Sequence, residues 1–210
     1  MHSPLDDTIW ASLFGSVAAV QAAFDRCAPD YHLAILESGV PYGAAEFIWP
    51  YIEDNHESGI DFGCGSGVLG MGLRSQGFCG ILDGIDVSPV MLNLARETQV
   101  YRHLIEGNLM EEESWPRIAC YQFVISMGLV GDYIPYYLAL PKMVECLELG
   151  GILGLAVEQR STPHLALSRK MKEVGLEEMA ATELVIAPAQ LEGQTYEFVV
   201  AQKVSKGCVL

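Results

Sequence analysis

The sequence predicts an α/β fold built on a mostly parallel, doubly wound sheet. Three observations predict it. Residues Ile60 to Gly70 run from a short apolar strand through the turn Gly63-Cys64-Gly65-Ser66-Gly67 into a helix. A second strand, Ile81–Asp86, ends in an acid and is followed by Ser88-Pro89, a good N-cap with proline at the first helical position. Half of the 210 residues are apolar and mean hydropathy is positive, as a sheet buried on both faces requires. This length suits one domain with a substantial core. The expected division is a helical cap over residues 1–55 and a core over 56–206.

The elements follow in order. Thr8–Ala23 carries Ile9, Leu13, Val17 and Val20 on one helical stripe, and Ala28-Pro29-Asp30 is expected to break the helix. Tyr42–Ile52 reads as a second helix, begun after Pro41. Residues 53–58 are a polar connection, with His56 in solvent. After the glycine turn, Val68–Gln76 is the first core helix and Gly77 to Gly80 turns into the Ile81–Asp86 strand. Pro89–Glu97 is the next helix and Val100–Glu106 the third strand, with His103 inside it. Glu111 to Glu113 suit a solvated helix start, where acids meet the positive end of the dipole. Tyr121–Ser126 is the fourth strand. Pro135–Leu147 is a helix capped by Leu149-Gly150-Gly151, and Ile152–Val157 the fifth strand. Pro163–Val174 is a helix begun near His164, with Arg169, Lys170 and Lys172 toward its C-terminus. Leu184–Ala187 and Tyr196–Ala201 are the last strands.

The chemistry concentrates at the glycine turn. Glycines there can take positive φ and let a ligand lie against the backbone, and the N–H groups opening the next helix face it. Asp61, just ahead of the glycines, would repel a pyrophosphate and suits a cationic or zwitterionic ligand. Asp86, 25 positions later, is spaced to accept the hydroxyls of a ribose.

At these residues a resemblance emerges. Asp61-Phe-Gly-Cys-Gly-Ser-Gly67 followed by Gly84-Ile-Asp-Val-Ser-Pro-Val-Met-Leu-Asn-Leu-Ala-Arg96 resembles the core of the class I S-adenosylmethionine (SAM) dependent methyltransferases, in their small-molecule branch. The likeness spans about Phe24 to Glu158. It implies a Rossmann-like seven-stranded sheet in the order 3-2-1-4-5-7-6 with the last strand antiparallel. It implies SAM as cofactor and S-adenosylhomocysteine as product. Phe24 to His32 is similar to a Tyr-Asp-x-x-Ala-x-x-Tyr-Asp lid segment, departing from it at Phe24 and His32, and this makes Tyr31 a cofactor contact. Asn108 stands where the family usually has an Asp that accepts from the adenine amino group; its carbonyl oxygen can still accept. The cofactor set implied is Tyr31, Asp61, Gly63, Cys64, Gly65, Gly67, Asp86, Val87, Met91, Asn108, Leu109, Met127 and Gly128.

Acceptor handling falls to the loop after the fourth strand, because ligands of doubly wound sheets sit beyond the strand C-termini. Asp132 and Tyr133 lie there, and Glu158 and Gln159 follow the fifth strand. Related enzymes often carry a His in the first of these loops and this chain has none. His32, on the lid-like segment, is the better base by its near-neutral ordinary pKa. His32, Asp132 and Tyr133 are the catalytic candidates. A base is needed only where the nucleophile carries a proton. The expected reaction is in-line methyl transfer to O, N or C of a small molecule. The alternatives are a SAM-binding enzyme that catalyses another step, such as a cyclisation, and a regulatory module.

Composition excludes other classes. Formal charge is −15, with 12 basic against 27 acidic residues, and only Arg26, Arg74 and Arg96 are basic in the first hundred. A nucleic-acid binder needs a basic face. The six cysteines fall at no zinc spacing, so no metal is expected and reduced cytosolic thiols are. No secretory signal, bilayer-spanning stretch or prenylation box is read. A cytoplasmic monomer or homodimer is expected, without nucleic-acid or membrane partners.

Overall fold

The structure, a computed structural model, describes residues 16–54, 56–116, 121–158, 163–185 and 195–204. Its elements are α1 (Val17–Ser38), α2 (Val40–Ile52), β1 (Ser58–Phe62), α3 (Val68–Gln76), β2 (Ile81–Asp86), α4 (Pro89–Glu97), β3 (Leu104–Glu106), β4 (Tyr121–Met127), α5 (Tyr136–Cys146), β5 (Leu147–Glu158), α6 (His164–Glu173), β6 (Leu176–Val185) and β7 (Thr195–Lys203). The seven strands form one sheet in the order β3-β2-β1-β4-β5-β7-β6. β3 to β5 pair in parallel and β7 runs antiparallel to both its neighbours. The expected sheet order is therefore the observed one.

Two apolar layers sandwich the sheet. On one face Ala45, Ile48 and Ile52 of α2 and Leu69 and Leu73 of α3 pack with Leu82, Phe123, Ile125 and Ile152. Gly154 lets α2 approach, since a Cβ there would lie 2.0 Å from Ile48 Cδ1. On the other face Ile60, Phe62 and Val124 meet Leu140 and Met143 of α5 and Leu167 and Met171 of α6. Among the described residues no helix is long and apolar enough to cross a membrane. The described cysteines, Cys27, Cys64, Cys79 and Cys146, are free thiols.

Several boundaries differ from expectation, each for a physical reason. The first helix does not break at Pro29. Residues 1–15, which hold the start of the expected Thr8–Ala23 helix, lie outside the described residues, and α1 continues through Pro29 to Ser38, stopping at Gly39 with φ 68°. Val20, Ala28 and Ile35 are buried along it, so packing outweighs one lost backbone bond. β3 is only three residues long. Arg102 and His103 precede it and turn to the buried carboxylate of Asp83, which Arg102 Nε and His103 N approach at 3.0 and 3.2 Å. The acidic run makes a 3-10 turn, Glu112–Ser114, not an α-helix. The Gly150-Gly151 pair does not cap α5: β5 starts at Leu147, and Gly150, with φ 85°, lies inside it. β6 begins at Leu176, eight residues before the expected strand, and the expected end at Ala187 lies outside the described residues. As the edge strand it leaves Glu177, Met179, Ala181, Thr182 and Glu183 exposed, so no apolar alternation marked it.

Candidate cofactor and acceptor site

A cavity opens beyond the C-terminal ends of β1, β2 and β4, with about 720 Å³ of empty space including its open mouth. Its floor is Gly63, Gly65, Asp86, Val87, Met91 and residues 107–110, its far wall Met127, Gly128, Leu129, Tyr133 and Ile134, and its roof Val17, Val20, Phe24 and Tyr31 of α1.

Asp86 is the best-built element of the floor. Gly65 N–H donates to Oδ2 at 2.9 Å and Ser88 N–H to Oδ1 at 2.9 Å. Both bonds orient the carboxylate and leave lone pairs for hydroxyl donors. Burial raises its pKa, the backbone donors pull it down, and the nearby Asp25 raises it again. Gly65 has φ 52° and no atom within 4 Å of where a Cβ would stand, so the backbone is bare toward open space. Ser88 both caps α4, accepting from Met91 N–H at 3.1 Å, and donates to Asp25 Oδ1 at 2.6 Å. That second bond ties α1 to the floor. Asp25 is the matching Asp of the lid-like Phe24–His32 segment, but sequence reasoning gave it no role in the site.

Asp61, expected among the cofactor contacts, is placed elsewhere. It is 1% exposed and is not on the cavity wall. Strand alternation explains this: Ile60 and Phe62 face the α5 layer, so Asp61 faces the α3 side. There Tyr101 Oη donates to its Oδ2 at 2.8 Å. Burial, opposed by that bond and helped by the nearby Asp86, raises the Asp61 pKa to about 7. Tyr101, missed in the sequence, sits in an irregular stretch where periodicity says nothing. Its ring also meets Gly67 and Gly70 closely, 3.1 and 2.9 Å from their hypothetical Cβ positions. Gly67 and Cys64 are likewise set back from the cavity: Gly67 packs on Tyr101 and Ala95, and the Cys64 Sγ lies against Gly84. Burial pushes the Cys64 thiol up, keeping it neutral.

The other expected residues divide. Tyr31, Gly63, Val87, Met91, Leu109, Met127 and Gly128 line the cavity. Asn108 does too, but its amide is engaged locally, donating to Glu111 Oε1 at 2.9 Å and accepting from Met110 N–H at 3.0 Å. Tyr133 lines the far wall. Asp132 stands behind it and accepts from Tyr196 Oη at 3.4 Å. Tyr196, on β7, is 64 residues away in sequence, which hid it. Tyr31, Tyr133 and Tyr196 all have raised pKa values, first from burial, with Asp132 adding to each. They remain neutral phenols at ordinary pH. His32 is not on the wall. Phe24 and Tyr31, seven residues apart on α1, share the cavity face, and one further residue turns the side chain about 100° away. Glu158 ends β5 and Gln159 lies outside the described residues. His103 lies beside the carboxylate of Asp83 and His164 beside those of Glu178 and Glu197, away from the cavity. Among the described residues no cluster could hold a metal.

No protein-family model matches the chain, and no curated protein matches it by sequence. Solved structures do match. Magnesium protoporphyrin IX methyltransferase from Synechocystis PCC 6803, solved with bound SAM, superposes with TM-score 0.64 at 14% identity over 94% of this chain and 97% of its own. A SAM-dependent methyltransferase from Thermotoga maritima gives 0.65 at 15% identity over 87% and 99%. The [4+2]-cyclase SpnF gives 0.60 at 15% identity over 78% and 80%. With the strand order above, these likenesses show the fold: this chain has the Rossmann-like architecture of the class I SAM-dependent methyltransferases.

Proposed function

We propose that this chain binds SAM in the cavity and transfers its methyl group to a small molecule. The observation that carries the reading is Asp86: a carboxylate on the cavity floor, oriented by two backbone donors, beside the bare backbone of Gly65. This pairing fits a ribose and the chain linked to it. Val87, Met91, Asn108 and Leu109 would flank the base, and Gly63, Met127, Gly128 and Tyr31 the methionyl end. Since Asp61 is engaged by Tyr101, the methionyl amine would meet lining backbone carbonyls or the Tyr31 hydroxyl.

The bound cofactor supplies an electrophilic methyl carbon. The chain's own residues align the acceptor and keep water out. α1 roofs the cavity with Val17, Val20 and Phe24, which exclude water, while Tyr133 flanks the side open to an acceptor with Asp132 behind it. Neighbours in the fold act on magnesium protoporphyrin IX and geranyl diphosphate, both small molecules. The strongly acidic chain argues against nucleic acid.

Calorimetry with S-adenosylhomocysteine tests the cofactor reading. Wild type binds and Asp86→Ala loses detectable binding; unchanged affinity in the variant overturns the reading. The [4+2]-cyclase among the neighbours favours one second reading, a SAM-binding enzyme that transfers no methyl group. Mass spectrometry separates the two, because S-adenosylhomocysteine accumulates only when the methyl group leaves.

A further inference from the structure

Three aromatic rings meet above the cavity. Phe24 and Tyr31 of α1 have ring centroids 5.6 Å apart at an interplanar angle of 84°. Phe24 meets Tyr133, from the loop after β4, at 5.5 Å and 67°. All three line the cavity. Rings that meet near right angles build a corner, the arrangement by which aromatic cages hold organic cations. Three carboxylates stand nearby. Asp86 is on the floor, Asp25 is tied to Ser88, and Asp132 lies behind Tyr133, held by Tyr196. Among the described lining residues there is no Lys, Arg or His.

We propose that the acceptor is a small organic cation, an amine protonated in solution, held in the Phe24–Tyr31–Tyr133 corner with Asp132 as its counter-charge. This rests on the reading of the same cavity as a SAM site. An acceptor bearing a carboxylate or phosphate meets no cation among the described lining residues, whereas an ammonium meets three π systems with the Asp132 carboxylate behind them. The neutral phenols of Tyr31 and Tyr133, kept protonated by burial and by Asp132, cannot neutralise the cation themselves. The transfer balances. The ammonium gives one proton to water, and the freed nitrogen lone pair forms the N–C bond. The C–S bond breaks with its electron pair left on sulfur, giving an N-methylated ammonium and a neutral thioether.

The test uses choline, which no further methyl can join at nitrogen, and its uncharged carbon isostere 3,3-dimethylbutan-1-ol. Affinities for the full chain are measured by ligand-observed NMR, with and without saturating S-adenosylhomocysteine. Choline is expected to bind at least about tenfold more tightly than the isostere. Tyr133→Leu should erase that preference and Tyr133→Phe, which keeps the ring, should retain it. Equal or tighter binding of the isostere overturns the proposal, and so does a preference that survives in folded Tyr133→Leu. If S-adenosylhomocysteine fails to bind wild type while choline is still preferred, the cofactor reading falls and the cation corner stands.

Discussion

Replacing Asp61 by asparagine removes a charge that the fold holds at a cost. The carboxyl is 1% exposed, and its pKa stands at about 7 in the folded chain against 3.8 for the ordinary group. An acid whose folded pKa is raised contributes stability that is fully present below pH 3.8 and is lost as pH rises through 7. Linkage over that window makes the loss between pH 5 and pH 8 about 2–3 kcal/mol from this one group. The asparagine amide cannot titrate, yet its carbonyl oxygen can still accept from Tyr101 Oη. Urea unfolding of both proteins at half-unit steps from pH 5 to 8 isolates the effect, since Cys64 and Tyr101, which feel the Asp61 charge, are both pushed up out of this range. Wild type should lose about 2–3 kcal/mol more than Asp61→Asn over that range. Parallel stability profiles would show that the carboxyl is not buried as described. The same variant bears on the site. Because Asp61 is set back from the cavity, S-adenosylhomocysteine affinity should change only a few-fold, whereas an Asp61 that grips the ligand directly would lose binding at every pH.

Two glycines make opposite predictions. At Gly65, φ 52° disfavours a side chain but nothing lies within 4 Å of a Cβ. Gly65→Ala should therefore lower stability by only about 1–2 kcal/mol while weakening S-adenosylhomocysteine by tenfold or more, as about 1.4 kcal/mol of lost contact would; calorimetry on the folded variant checks it, and unchanged affinity counts against ligand at that spot. At Gly59, on β1, a Cβ would stand 2.2 Å from the buried ring of Phe123. Gly59→Ala should cost about 1–3 kcal/mol or more through overpacking, read as a Tm lowered by several degrees, with ligand affinity in the folded fraction kept.

Much of the architecture was legible because strong local signals agree. The Gly63–Gly67 turn, the Ile81–Asp86 strand and the Ser88-Pro89 helix start each match their observed bounds, since turn chemistry and capping are short-range. Edges were less legible. β3 and β6 are exposed edge strands, so apolar alternation is weak there, and the α1 helix passes Pro29 because tertiary burial of Ala28 and Ile35 outweighs local propensity. On the site, Asp86 was readable from its spacing, but Tyr101, Asp25 and Tyr196 are brought in by pairings 40, 63 and 64 residues apart.

The sequence by itself determined a parallel sheet crossed by glycine-bared loops, with an acid at the tip of its second strand, because residue type and spacing act over a few residues. Only the tertiary structure decided which acid reaches the cavity. Asp61 and Asp86 both end strands beside the same turn, yet strand alternation aims one at Tyr101 beneath α3, while Gly65 and Ser88 hold the other on the cavity floor. That choice depends on which face of the sheet each helix covers, and no local pattern in the chain records it.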